Sequence, residues 1–302
     1  MVCAEACPAR GRPVRAVLEV QFTGWTLSAE NDLNMEHSIP SRMLRGRVKV
    51  HLVGVGGNGA QMANALARLD IAIRALGHPA GLHVTAFDAD KVSQANVGRQ
   101  VYGPADVGQY KSILQVNRLN AFYGLDWEAI PSMYEPQTGK SYGNTEPDLV
   151  ISCVDSARAR AMLHRAFFGA GHRHLYWMDL GNTDSTGQVV LGVASGHKWR
   201  VAEEWGRLPC VTELFPELLR EELEEDNTPS CSVAISLASQ GLFVNDMVVR
   251  WGAHLLYELF TEGRIAQHGV VVNLKSKRAG PIDVNPDVWR RFGVKRRRPK
   301  RA

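Results

Sequence analysis

Apolar positions along the chain fall into short blocks separated by helical and turn patterns. Val48, Val50, Leu52 and Val53 make a run suited to a buried strand, and that run ends in Gly54, Gly56, Gly57 and Gly59. An Ala-rich stretch follows to about Leu76, with Met62, Ala65, Leu66 and Leu69 on one helical face. His78-Pro79-Ala80-Gly81 stops it. A second strand, Leu82 to Phe87, leads into Asp88-Ala89-Asp90, and a helix from Gly108 to Tyr123 carries Lys111 in its first turn. After a short strand near Trp127 to Ile130, Asp148 to Cys153 is the next buried strand, with Asp155 just past its end. The helix Ala157 to Ala170 and the strand Leu175 to Leu180 continue the alternation.

Strands alternating with helices of this length predict a mostly parallel sheet covered on both faces. The glycine turn, Asp88 with Asp90, and Asp155 all fall at the C-terminal ends of strands, where such sheets bind ligands. The pattern then changes. Residues 185–194 read as a strand with no crossover helix before it, which implies antiparallel pairing. A helical pattern from Ser232 to Phe260 is expected to bend near Gly241 or Gly252, and Gly269 to Leu274 is the last strand expected. The fold class is therefore α/β: a Rossmann-like doubly wound mixed sheet, parallel in its N-terminal part and antiparallel in its C-terminal strands. Residues 1–34 read as a poorly ordered leader with a short strand at Val17 to Phe22, and Met35 is an alternative start. Residues 35–280 form the main domain, 195–230 a mobile cysteine-bearing segment, and 281–302 a basic tail.

Composition narrows the class. The chain has 302 residues, 45% hydrophobic and 22% charged, enough for one large domain. No apolar run approaches the ~18 to 20 residues of a membrane span, and no signal-peptide pattern precedes Met35, so a cytoplasmic address is expected. The formal charge of +4 hides an asymmetry: residues 290–302 hold eight basic side chains and no acid, leaving a mildly acidic body. Such a tail can contact nucleic acid or simply be solvated, and no reading helix or interleaved aromatics accompany it. Five cysteines, Cys3, Cys7, Cys153, Cys210 and Cys231, argue against a disulfide framework, and there is no paired CxxC zinc site.

The glycine turn places permissive residues where the backbone must turn and let a phosphate reach N–H groups at a helix start. Alone it also fits NAD enzymes or plain tight packing. The residues after it add specificity: Asp88, Asp90, Val92, Asn96, Arg99 and Gln100 in order, then Lys111, then Asp155 with Arg160 five residues on. This series, over residues 48–160, resembles the adenylating family of ThiF, MoeB and the ubiquitin-activating enzymes. From Met35 onward the wording resembles the ThiF-type members of PRTRC cassettes.

The resemblance implies ATP and Mg²⁺ as cofactors and activation of the C-terminal carboxylate of a small ubiquitin-like protein. Attack on the α-phosphate asks for neutralised triphosphate charge and in-line reactants. Arg99 supplies a planar fork and Lys111 a point charge for phosphate oxygens. The cofactor set is Gly54, Gly56, Gly57, Gly59, Asp88, Asp90, Asn96, Arg99, Gln100 and Lys111, with Asp88 on the ribose. Asp155 would hold Mg²⁺, Arg160 would orient Asp155, and Asn96 would orient a phosphate or the carboxylate. Cys210, in Leu-Pro-Cys-Val-Thr, resembles a thioester cysteine whose acyl group could pass to a conjugating enzyme, with Cys231 as second candidate. A homodimer is expected, in which Arg42, Arg45 or Arg47 reaches the partner's nucleotide. The competing readings are an NAD-dependent oxidoreductase and a non-catalytic nucleotide-binding scaffold in plasmid maintenance. Against the first, Asp88 follows Gly59 by 29 residues, where a dinucleotide fingerprint places its acid about 20 residues on.

Overall fold

The computed structural model describes residues 35–135, 146–168, 176–194, 207–219 and 242–294. The leader with its short strand, most of the 135–147 loop, the acidic run Glu221 to Asp226, Cys231, Gly241 and the tail beyond Val294 lie outside the described residues.

In chain order the elements are β1 (His37–Ser38), β2 (Val48–Val53), α1 (Gly57–Ala75), β3 (Leu82–Phe87), α2 (Lys111–Tyr123), β4 (Glu128–Ile130), β5 (Leu149–Ser152) and α3 (Ala157–Phe168). They continue with β6 (Tyr176–Asn182), β7 (Thr186–Gly192), α4 (Val211–Leu214), α5 (Val244–Glu262), β8 (Arg264–Ile265), β9 (Gln267–Asn273), β10 (Arg278–Asp283) and α6 (Pro286–Arg291). Eight strands form one sheet in the order β4-β3-β2-β5-β6-β7-β9-β10, and β1 pairs β8 separately. From β4 to β6 every pairing is parallel, and from β6 to β10 every pairing is antiparallel. This is the doubly wound mixed sheet that the alternation of elements predicts.

The central strands are apolar because both faces are covered: all four residues of β5 are buried, as are Val48, Val50, Leu52 and Val53 of β2. From β2 the chain steps outward to β3 and β4, then returns to the other side of β2 and steps away through β5 and β6. Right-handed crossovers therefore put α1 and α2 on one face and α3 on the other, and the reversal opens a crevice between β2 and β5. α1 packs against α5, which lies over β6, β7 and β9.

Two C-terminal features differ from expectation. Pro281 does not end the sheet; it pairs with Val270 in β10, an edge strand, where a missing N–H costs no ladder bond. Beyond it, Asn285 Oδ1 accepts the Asp287 N–H at 2.8 Å, Pro286 takes the first helical position, and Trp289 is fully buried. Residues 281–294 are thus part of the folded body. Gly252 does not interrupt its helix either: α5 runs through it, and a Cβ there would lie 3.2 Å from Val189 Cγ2, so it permits close packing on the sheet. No helix among the described residues is long and apolar enough to cross a membrane.

Candidate active site

The site begins at the turn from β2 into α1. Gly54 takes a positive φ of 86°, and its N–H donates to the Phe87 carbonyl at 2.9 Å. A Cβ on Gly59 would lie 1.9 Å from the Gly54 carbonyl oxygen, so only glycine lets the first turn of α1 close over the strand end. Asp88, at the end of β3, fixes this turn from the side. Its two carboxylate oxygens accept the N–H groups of Val55 at 2.6 Å and Asp90 at 2.8 Å. Burial pushes the Asp88 carboxyl above its ordinary value, with those N–H groups and Lys111 pulling the other way. Tyr102 donates to the Val55 carbonyl at 2.6 Å, closing the turn from above.

Around this turn lies a cavity of about 500 Å³ at the C-terminal ends of the parallel strands, over the switch point between β2 and β5. Gly54, Gly56, Gly57, Asp88, Asp90, Arg99, Gln100, Lys111, Asp155 and Arg160, distant in sequence, all line it. Lys111 Nζ meets Asp90 Oδ2 at 2.9 Å, and the Lys111 N–H donates to the Asp90 carbonyl at 3.0 Å, so the start of α2 is tied to the loop after β3. The lysine side chain is nearly buried while Asp90 is largely exposed. Arg99 is half-buried; burial lowers its pKa, and the nearby Asp155 carboxylate opposes that shift. Asp155 is exposed at the mouth of the cavity.

Three expected residues are placed otherwise. Gly59 is a packing residue of the turn, outside the cavity lining. Asn96 also stands outside it: its Oδ1 accepts the Ser93 N–H at 2.9 Å and caps a short 3-10 turn. Arg160 grips Asp179 rather than Asp155. Its Nε lies 3.2 and 3.3 Å from the two Asp179 oxygens, and its Nη2 donates to the Val154 carbonyl at 2.6 Å. Asp179 has no exposure and accepts from Ser152 Oγ at 2.6 Å, which in turn accepts from Trp177 Nε1 at 2.8 Å. The arginine thus holds the backbone that carries Asp155.

The structure adds residues that spacing did not reveal. Phe87, Met133 and Tyr134 make an apolar wall beside Asp88, with Phe87 and Tyr134 packed edge-on at 4.8 Å and His51 behind them. Burial lowers the His51 pKa to about 4, so the ring is neutral. On another stretch of the lining stand four amides, Asn58, Asn182, Gln188 and Asn245. Asn58 lies between two of the motif glycines, which marked it only as a variable position.

Cys210 is not in the cavity lining. It is fully buried against Gly192, immediately before α4, and its N–H donates to Glu213 Oε2 at 2.9 Å. Burial pushes its thiol far above the range in which thiolates form near neutral pH. The mobile, reactive cysteine expected from sequence is therefore, at this position, a core residue. Arg42 and Arg47 pair with Asp148 and Asp126 of the same chain at the N-terminal end of the sheet, away from the cavity.

Fold and cavity define a doubly wound α/β protein with a polar cavity over the switch point of its sheet. Residues 43–268 match the ThiF family, and the chain belongs to it. It is 26% identical over 263 residues to ubiquitin-like modifier-activating enzyme 5 of Aedes aegypti, covering 82% of this chain and 60% of that protein. To the same enzyme of Drosophila ananassae it is 30% identical over 190 residues, 58% of this chain and 42% of that one. The chain thus spans 60% or less of these relatives' length. Among solved structures, E. coli MccB with ATP superposes with a TM-score of 0.50 at 14% identity, covering 80% of this chain and 64% of that one. PaaA gives 0.50 at 16% identity, covering 78% and 64%. At these identities the likeness is one of fold.

Proposed function

We propose that this chain uses ATP to adenylate the C-terminal carboxylate of a small ubiquitin-like protein or peptide. The observation that carries this reading is the gathering of Arg99, Lys111 and Asp155 beside the glycine turn in one cavity. Membership in the ThiF family supports it, as do relatives named as ubiquitin-like modifier-activating enzymes and a fold shared with MccB, whose structures include one with MccA. The finer resemblance to PRTRC-cassette members rests on sequence wording.

In this reading the purine lies against Phe87, Met133 and Tyr134, and Asp88 accepts the ribose hydroxyls, since a carboxylate with two N–H partners keeps further acceptor capacity. The triphosphate runs over the bare N–H groups at the start of α1. A carboxylate oxygen of the acceptor attacks the α-phosphorus, the bond to the bridging oxygen breaks, and pyrophosphate leaves with its electrons. Arg99 and Lys111 stabilise the charge on the phosphates, with Lys111 shared between Asp90 and the ligand. No trio of His, Cys, Asp or Glu among the described residues is placed to hold a metal by itself. Mg²⁺ binds through one or two carboxylates plus phosphate and water, and Asp155, exposed at the mouth of the cavity, would be the carboxylate that holds it. The ion would neutralise phosphate charge. The reaction as proposed makes no thioester on Cys210, whose thiol is sealed in the core, and Cys231 lies outside the described residues.

Exchange of labelled pyrophosphate into ATP, driven by ubiquitin-like proteins or peptides with free C-termini, tests this. Arg99→Ala and Asp155→Ala should each reduce exchange by about 100-fold. Undiminished exchange in either variant removes that residue from the mechanism, and binding of NAD in preference to ATP refutes the reading.

A further inference from the structure

The apolar wall beside Asp88 stands partly on a segment with little regular structure of its own. β4 is an edge strand of three residues, and after it Pro131, Ser132, Met133 and Glu135 are all exposed. Two hydrogen bonds here are local: the Ser132 N–H donates to the Ile130 carbonyl at 2.9 Å, and Ser132 Oγ lies 3.4 Å from the Met133 carbonyl. Tyr134 is different. It is 5% exposed, and its hydroxyl lies 3.2 Å from His51 Nδ1, 83 residues away in the chain. Its ring meets Phe87 edge-on with centroids 4.8 Å apart and His51 edge-on at 5.7 Å, while His51 and Phe87 lie 5.0 Å apart. The three rings close a triangle, so none of them can shift alone.

His51 is a polar residue in a central strand. Val48, Val50 and Leu52 have no exposure on one face of β2, and His51 alternates to the other. β2 is paired on both sides, with His51 opposite Thr85 of β3 and Val150 of β5, so its backbone is a fixed post. Burial pushes the Tyr134 hydroxyl up and the His51 imidazole down to about 4, so the bond joins two uncharged groups. A buried hydroxyl that loses its partner is costly, and that cost holds Tyr134 to His51. We propose that His51 is a positioning residue of the nucleotide site: through the Tyr134 hydroxyl it anchors the segment after β4, and so sets Met133 and Phe87 as the surface for the purine. The proposal rests on the adenylation reading and deepens it by naming what fixes its base side. His51 stands outside the cavity lining, and Met133, 66% exposed, presents the surface with Phe87.

Calorimetric titration of the full chain compares ATP with inorganic tripolyphosphate, which has no base to place. His51→Leu and Tyr134→Phe each remove one side of the bond. Each should weaken ATP binding about tenfold and hold tripolyphosphate within about twofold of the native value. The double variant should bind ATP within about twofold of the weaker single variant, since both changes remove the same bond. His51→Asn, whose amide can bond the hydroxyl from near the place of Nδ1, should restore ATP binding to within about threefold of native. Equal losses for ATP and tripolyphosphate, additive losses in the double variant, no loss in either single variant, or no recovery in His51→Asn overturns the positioning role. Should His51→Leu not fold, Tyr134→Phe, which keeps its ring, decides with the same two ligands. Failure of the native chain to bind ATP refutes the adenylation reading instead, and the anchor is then read by tetranitromethane at pH 8. The reagent should spare Tyr134 in the native chain and nitrate it in His51→Leu, and equal protection in the two overturns the anchor.

Discussion

At the scale of single residues, the sequence is most informative where one residue type has one job at a strand end. Asp88, Arg99, Lys111 and Asp155 are visible because charged and polar groups recur where an α/β sheet binds its ligand, and all four meet in the cavity. What spacing does not encode is the partner across the sheet. Arg160 stands out in the motif, yet its counter-ion, Asp179, sits inside the apolar run of β6, 19 residues on. Removing one side of a buried pair leaves the other charge unpaired. Asp179→Ala should therefore cost about 3–5 kcal/mol in urea denaturation, against under about 1 kcal/mol for Arg42→Ala on its exposed pair. Equal losses in the two variants would mean that the Arg160 pair is solvated. Cys210 is the opposite case, conspicuous in sequence and inert in place. Iodoacetamide at pH 8 should leave Cys210 unlabelled in the native chain and label it in urea, as read by peptide mass. Cys210→Ala should keep pyrophosphate exchange within about threefold of the native chain.

At the scale of elements, periodicity recovers the strands and helices that carry a buried face, with β3 expected and found at Leu82 to Phe87. It misses β10, because an edge strand needs no apolar alternation: Arg278, Ala279, Gly280 and Pro281 are all exposed and earn their place by backbone pairing alone. It misses α6 for a related reason. One buried side chain, Trp289, anchors six residues, too few to show a helical period in the sequence. The element on which the site depends most is the first turn of α1. In Gly59→Ala the new methyl meets the Gly54 carbonyl, a contact that only movement of the turn can relieve. The variant should lose about 2–4 kcal/mol of stability, and its ATP affinity should fall more than that of an equally destabilised core variant such as Leu66→Ala. Equal affinity in the two would show that the turn does not shape the nucleotide site.

At the scale of the whole molecule, three histidines couple the fold to pH. His37 bonds the Tyr176 hydroxyl at 2.6 Å, linking β1 to the sheet. His268 joins β7, β9 and α6: Nδ1 donates to the Leu191 carbonyl at 2.9 Å and Nε2 accepts from Trp289 Nε1 at 2.8 Å. His51 backs the apolar wall of the cavity. Burial lowers all three to a pKa of about 4, against an ordinary value of 6.5. Between those values the unfolded chain binds protons that the folded chain refuses, so stability rises with pH across the window and is lost as pH falls through it. Each group contributes at most about 1.4 kcal/mol per pH unit, so the three together set an upper slope of roughly 4 kcal/mol per unit. Asp88 acts in the opposite sense, because its raised pKa makes the folded chain hold a proton more tightly as pH rises through its own window. Urea midpoints followed by tryptophan fluorescence should be flat above pH 7 and fall steeply from pH 6 to pH 4.5. In His268→Phe the same curve should begin from lower stability but descend with a shallower slope, since one of the titrating histidines is gone. An unchanged slope in that variant would place the proton uptake elsewhere, and the junction of β7, β9 and α6 would have no part in acid unfolding.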